Sequence, residues 1–272
     1  MLKEKELKDK VRDILFGNMI EGHSKADNFK YCYTKPSKRT YPFQYFWDTC
    51  IHIHMFLAID ETDHAKRHME SLMHNQDDNG FIGNIVYWKH IFPARFTDFF
   101  QMKFKSIFKI RAPHMSRIVQ PPMLAQTVWK IYEKTKDLDF VREMLPKLKK
   151  YYNWLADNRD FDGDNLLNII TTFESGMDWK PTFDPVVNFK RRKANWKLFF
   201  KVVSIDFKNF IMNYDMKKLA KSNHFRVKDA GFNSIYARNL QDLAELCRLV
   251  DDEDGAELYL NRKELVSNSS LS

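Results

Sequence analysis

Residues 121–155 read PPMLAQTVWKIYEKTKDLDFVREMLPKLKKYYNWL. Pro121 suits the first turn of a helix, where its missing N–H is no loss and its fixed φ is already helical. Leu124, Val128 and Tyr132 then recur at helical spacing as far as Thr135. Asp139 opens a second helix, which runs past Leu145 and Leu148 to Leu155. Pro146 inside it predicts a bend or a split. Two amphipathic helices joined by so short a link form an antiparallel hairpin.

The same unit recurs on either side. Towards the N-terminus, Leu7, Val11 and Ile14 mark a helix over residues 3–17 that stops at Gly17. A loop with Pro36 and Pro42 leads to Trp47, and the apolar density from Asp48 to Ile59 predicts a buried helix of about three turns. Asp63 caps the next helix, which ends at His74, and NQDDNGFIG at 75–83 is a turn. Residues 84–119 have no clean period and read as a long loop with one short helix, a kind of segment that tends to be functional. Beyond the central hairpin come the turn RDFDGDNLLNI and the block TTFESGMDWKPTFD, in which Gly176 and Pro181 oppose a continuous helix. One helix is expected over 197–221 and another from Phe232 to Val250, with Ile235, Leu240, Leu243, Leu246 and Leu249 on one face. A last helix starts at Asp254 and ends in SNSSLS. Helix pairs with alternately short and long connections predict an all-α toroid of helical hairpins over the whole chain, 1–272. No repeat of fixed period supports a solenoid.

Composition agrees. The chain has 272 residues, 44% of them hydrophobic and 15% aromatic, with 8 glycines and 9 prolines, which favours long helices over many short strands. Its 23 phenylalanines and 6 tryptophans serve mainly the core, and stacking on sugar rings is one use for a surplus. The net charge of +8 raises nucleic acid or an anionic membrane as partner. The lysines are spread along the chain, however, as on a solvated surface, and neither partner is expected. The one dense run, Lys190-Arg191-Arg192-Lys193, lies in a segment without helical period and reads as a loop. Cys32, Cys50 and Cys247 form neither a disulfide framework nor a CxxC zinc site. With no apolar run near the roughly 18 residues of a membrane span, a soluble, cytoplasmic protein is expected.

Three features bear on chemistry. Phe173-Glu174-Ser175-Gly176-Met177-Asp178 places two acids four residues apart around a glycine, in a loop between helices. Glycoside hydrolysis requires one carboxylic acid to protonate the leaving oxygen and a second carboxylate to act on water or on the sugar. Acid-rich loops also serve for capping and solvation. Trp47-Asp48 sets an aromatic beside an acid at a helix start, either an N-cap with a core tryptophan or a carboxylate gripping sugar hydroxyls beside an aromatic wall. Gln120 before Pro121 and Pro122 sits at the mouth of a helix, with its amide either in solvent or on a ligand. His64 and His68 stand at i and i+4, but Ala65 occupies the place of the HExxH glutamate, so a catalytic metal is not expected. Phosphate-binding, serine-elbow and dinucleotide fingerprints are absent, and no cofactor is implied.

Taken together and in this order, FQYFWDTCIHIHMFLAID, NQDDNGFIGN, QPPMLAQTVWKIYEKTKD, LPKLKKYYNWLADNRDFDGDNLLNI, FESGMD and FNSIYARNLQDLAELCRLV resemble glycoside hydrolase family 63 and its mannosylglycerate and glucosylglycerate hydrolase relatives. The resemblance covers about residues 43–250 and implies an (α/α)6 barrel. It also implies that Asp178 is the general acid, that Trp47, Asp48 and Gln120 face the sugar, and that hydrolysis of an α-linked glucoside or mannoside inverts configuration. Glu174 and Gly176 are expected on the substrate side of the same loop, with Glu174 also bracing it. Burial among Phe173, Trp179 and Phe183 would raise the Asp178 pKa. Two departures stand out. Trp179-Lys180-Pro181-Thr182 replaces the family's asparagine, serine, proline and arginine run, which alters the acceptor side. The family's base lies in the last third of a longer domain, so an incomplete toroid is expected, completed by a C-terminal part or partner chain that brings the base. A carbohydrate-binding or scaffold protein that kept the fold without the reaction is the alternative.

Overall fold

The computed structural model describes residues 4–90, 92–93, 95–102, 111–190, 196–222 and 224–271. Arg191, Arg192 and Lys193 of the basic run lie outside these residues.

Three helical hairpins follow one another. The first is α2 (Phe46–Ala58) with α3 (Thr62–His74), the second α5 (Leu124–Thr135) with α6 (Leu138–Arg159), and the third α9 (Ala230–Arg248) with α10 (Glu253–Leu271). The first helices of the hairpins, α2, α5 and α9, pack on one another in sequence, and α3 and α6 each also touch the first helix of the next hairpin. Among the described residues the result is an arc of three hairpins. One continuous core joins them, from Phe46, Ile53 and Phe56 of α2 through Val128 and Ile131 of α5 to Tyr236, Leu240 and Leu243 of α9. No described helix is long and apolar enough to cross a membrane.

Short elements decorate the arc. Helix α1 (Glu4–Asn18) leads into an antiparallel hairpin of β1 (Met19–Ser24) and β2 (Phe29–Thr34). This corrects the loop expected there: FKYCYT is rich in aromatics, Tyr31 to Thr34 are all buried, and Tyr31 stacks on Trp88 at 4.3 Å. Residues 84–119 are likewise more structured than a loop. They hold β4 (Ile85–Tyr87), the short α4 (Phe96–Phe99) and β5 (His114–Met115), and β4 pairs with β5 and with β3 (Gln44–Tyr45), so that this sheet leads directly into α2.

Several boundaries differ from expectation for identifiable reasons. Helix α3 starts at Thr62, and Asp63 lies in its first turn instead of capping it. Asp137, not Asp139, caps α6 by accepting from the Phe140 N–H at 3.0 Å. Pro146 does not split α6: it is exposed, while Val141, Met144, Leu145 and Leu148 on the opposite face are buried in the core. The single helix expected over 197–221 is two, α7 (Trp196–Ile211) and α8 (Met216–Ser222). The break falls at Asn213 and Tyr214, both at positive φ, and the Tyr214 hydroxyl is drawn away to the Phe100 carbonyl at 2.7 Å.

Candidate active site

A cavity of about 420 Å³ opens at the N-terminal end of α2, within the size range of small-ligand pockets. Trp47 and Asp48 form part of its wall from the first turn of that helix. The first N–H groups of a helix need partners from outside it, and here distant segments supply them. The Phe46 N–H donates to the Asn84 carbonyl at 2.9 Å, and the Trp47 N–H to Oε1 of Gln120 at 3.1 Å. Gln120 is therefore no solvated amide. It is buried, its carbonyl oxygen anchors Trp47, and it also lines the cavity.

The block at 171–184 forms two short 3₁₀ turns, Thr172–Ser175 and Pro181–Phe183, with Gly176 between them in the left-handed region at φ 72°. A Cβ at Gly176 would lie 2.6 Å from the Trp47 indole. Both the backbone and the space demand glycine. Gly176→Ala is expected to destabilise the fold by about 1–3 kcal/mol and to displace the indole. A shifted tryptophan emission spectrum together with a lower urea midpoint checks this.

The same turn carries Asp178, so Trp47, Asp48, Gln120, Gly176 and Asp178 share one cavity although they are far apart in the chain. Glu174 does not join them, and its expected place beside the substrate is corrected. It is fully buried against Arg159, with Nη1–Oε2 at 2.9 Å and Nη2–Oε1 at 2.5 Å. Its oxygens also accept from the backbone N–H groups of Val119 at 2.9 Å and Ile170 at 2.8 Å. No capacity is left for a ligand, and Glu174 ties the segment before Gln120 to the loop that carries Asp178.

Both cavity carboxyls are displaced upward. Burial raises Asp178 to about 6, against the opposing pull of the Arg95 guanidinium. Burial also raises Asp48 to about 6, and the like charge of Asp178 adds to it. Of the rings expected around Asp178, Phe173 lines the cavity and Trp179 packs edge-on to Phe173, whereas Phe183 packs on Phe225 in the core.

Several cavity residues escape a reading of the sequence. Arg95 is clamped by Asp98 through Nε–Oδ2 at 3.0 Å and Nη2–Oδ1 at 2.9 Å, and lies 4.8 Å over the Tyr41 ring. Tyr45 adds a buried hydroxyl without a hydrogen-bond partner among the described residues, and Asn84 and Gln101 line the same wall. The RFTD spacing from Arg95 to Asp98 is the one local signal of that clamp. The histidines are spent elsewhere: His68 is buried between the His64 carbonyl at 2.7 Å and Thr34 Oγ1 at 3.0 Å. Among the described residues no cluster of three or more histidine, cysteine or acidic side chains is placed to hold a metal.

The cavity thus sets a tryptophan beside two carboxyls raised to about 6. Residues 41–269 match the profile of the mannosylglycerate hydrolase MGH1-like glycoside hydrolase domain. The chain belongs to that family. This MGH1-like chain is similar to the mannosylglycerate hydrolase of Rubrobacter radiotolerans, with 30% identity over 252 residues covering 82% of this chain and 56% of the relative. It is also similar to the mannosylglycerate hydrolase of Thermus thermophilus, with 28% identity over 255 residues covering 83% and 59%. Among solved structures, a GH63 mannosylglycerate hydrolase from Thermus thermophilus in complex with Tris and D-glycerate shares its fold, with a TM-score of 0.78 at 24% identity. That match covers 96% of this chain and 65% of the other. The MGH1-like chain spans 56–59% of the length of those two sequence relatives.

Proposed function

We propose that the cavity receives the terminal hexose of an α-linked mannoside or glucoside, with Asp178 as the general acid of an inverting hydrolysis. The observation that carries this reading is the pair of half-buried carboxyls, each raised to about 6, in one cavity with Trp47. A carboxyl with a pKa near 6 is still about one-tenth protonated at pH 7, against less than about a thousandth for an ordinary aspartate, and so can deliver a proton to a leaving oxygen where the ordinary group cannot. Asp48 accepts hydrogen bonds from sugar hydroxyls, Trp47 offers the ring an apolar wall, and Gln120 fixes Trp47. The unpartnered Tyr45 hydroxyl is suited to a further sugar hydroxyl. The base that activates water sits across the ring, about 6.5–9.5 Å from the acid in inverting enzymes. We assign it to a segment or partner chain that completes the hairpin arc, because the sequence relatives extend well beyond the matched length. A second reading, sugar binding without turnover, draws on the cavity wall itself, where Asp48 and Asp178 are the carboxyls among the described lining residues.

The test is sugar release from α-mannosides and α-glucosides, mannosylglycerate and glucosylglycerate included, measured as a function of pH. Asp178 must be protonated to act, so release is expected to fall as pH rises through about 6. A flat profile across that range would speak against the assignment. Stability provides a second readout. A carboxyl whose folded pKa is raised above the ordinary 3.8 favours folding less once it ionises. Its penalty is absent at low pH, develops between about 4 and about 6, and persists above. Asp178→Asn removes that penalty and is expected to gain about 1–3 kcal/mol over the unaltered chain at pH 8, with no gain at pH 4. Urea titrations at the two pH values check it.

A further inference from the structure

Helix α7 has two sides of different character. Leu198, Val202, Ile205, Asp206, Asn209 and Phe210 are buried on the inner one. Polar contacts lock that side inward: Asp206 accepts from the Gln101 amide at 3.2 Å, and the Asn209 amide donates to the Ile170 carbonyl at 2.9 Å. The outer side is thereby fixed towards solvent. It carries Trp196, Phe200, Phe207 and Ile211, which are 74%, 65%, 46% and 57% exposed. At about 100° per residue these four fall within an arc of about 60°, and Lys197, Lys201 and Lys208 share the adjoining arc of about 40°. Lysines that are spread along the sequence are gathered on one flank here. The one acid of α7, Asp206, is on the buried side.

The apolar stripe continues beyond the helix. Phe207 meets Phe100 edge-on at 5.4 Å, Phe100 meets Phe96 at 5.2 Å, and Phe96 is 77% exposed. A contiguous apolar surface of this kind marks a place where something docks. Charge decides what. A lysine row with no acid beside it repels a second copy of the same face and complements an anionic surface. Tryptophan and phenylalanine on one arc with lysines along its edge is the composition of a helix that lies flat in a bilayer interface. In the sequence, Lys190-Arg191-Arg192-Lys193 comes just before the helix and adds to the same charge.

We infer that the outer face of α7 docks reversibly on an anionic lipid surface, with Trp196, Phe200, Phe207 and Ile211 entering the headgroup region and Lys201 and Lys208 meeting the lipid charges. None of these six side chains is among the described residues that line the cavity, so the inference stands apart from the glycosidase reading.

The experiment is co-sedimentation of the intact chain with vesicles of phosphatidylcholine and phosphatidylserine in equal parts, and with vesicles of phosphatidylcholine alone. The chain is expected to pellet with the mixed vesicles, to bind the neutral ones at least about tenfold more weakly, and to come off the mixed ones as salt rises. Lys201→Gln with Lys208→Gln should weaken binding by about tenfold to thirtyfold, at about fivefold for each charge lost near the surface. Lys5→Gln with Lys25→Gln, on α1 and in the β1–β2 turn, removes the same net charge and should change binding little. Phe200→Ser with Phe207→Ser should abolish it, with urea midpoints showing that the variants are folded. No pelleting with the mixed vesicles, an equal loss in the two lysine pairs, or full binding by the serine variant overturns the proposal. A dimer of the intact chain that the serine variant dissolves also overturns it, by giving the face to a second copy.

Discussion

Glu174→Ala is expected to lower the stability of the fold by about 3–5 kcal/mol, a large share of what holds a typical domain together. Arg159 and Glu174 are both fully buried and paired through two contacts. Removing the carboxylate leaves a guanidinium in the interior with one remaining acceptor, the Asn168 carbonyl at 3.4 Å. It also strips the Val119 and Ile170 N–H groups of their partner. The cost comes from the uncompensated charge and the orphaned donors more than from the value of the pair itself. The double change Glu174→Leu with Arg159→Met removes both charges and is therefore expected to recover a good part of the loss. Urea unfolding of the single and double variants separates the two terms; a single variant within about 1 kcal/mol of the unaltered chain would show that water or relaxation reaches the arginine.

That pair also shows where the sequence stops being readable. The helical hairpins declare themselves through amphipathic period and short links, because Leu124, Val128 and Tyr132 face the core by local geometry alone. The β1–β2 hairpin has only the aromatic density of FKYCYT as its local signal, since Tyr31 to Thr34 are buried on both faces, and the prolines that follow suit a loop. Trp47, Asp48, Gln120, Gly176 and Asp178 stand out by residue type and motif, and the fold gathers them in one cavity. Glu174 looks like its neighbour Asp178 on paper. The bracing role expected of Glu174 takes its partner, Arg159, from fifteen residues earlier on another element, a pairing no local rule encodes. Tyr41, Asn84 and Gln101 lie in segments without period, and packing of distant strands, which no local rule encodes, brings them to the site.

Asp178→Asn carries the largest functional effect. General acid catalysis contributes about 10²–10⁴-fold, and it matters most when the leaving oxygen is a poor one. An alkyl or glycosyl oxygen must be protonated as its bond to the anomeric carbon breaks, whereas a nitrophenolate departs with little help. The asparagine variant should therefore lose release from an unactivated α-glycoside by about 10²–10⁴-fold and lose far less with a nitrophenyl glycoside. Asp48→Asn is different in kind: it removes a grip on the sugar and should depress both substrates alike.

The base can be taken out of the question by supplying azide, an anionic nucleophile that carries no proton to be removed and attacks the anomeric carbon from the face a base-activated water would use. The decisive measurement is formation of the glycosyl azide, with release of the alcohol, from unactivated α-mannosides and α-glucosides by the purified chain and by its Asp178→Asn variant. The account predicts azide-dependent release at pH below about 6, where Asp178 holds its proton, and its collapse in the variant. Release that persists undiminished in Asp178→Asn, or a chain that forms no product with azide from any of these glycosides, would contradict it.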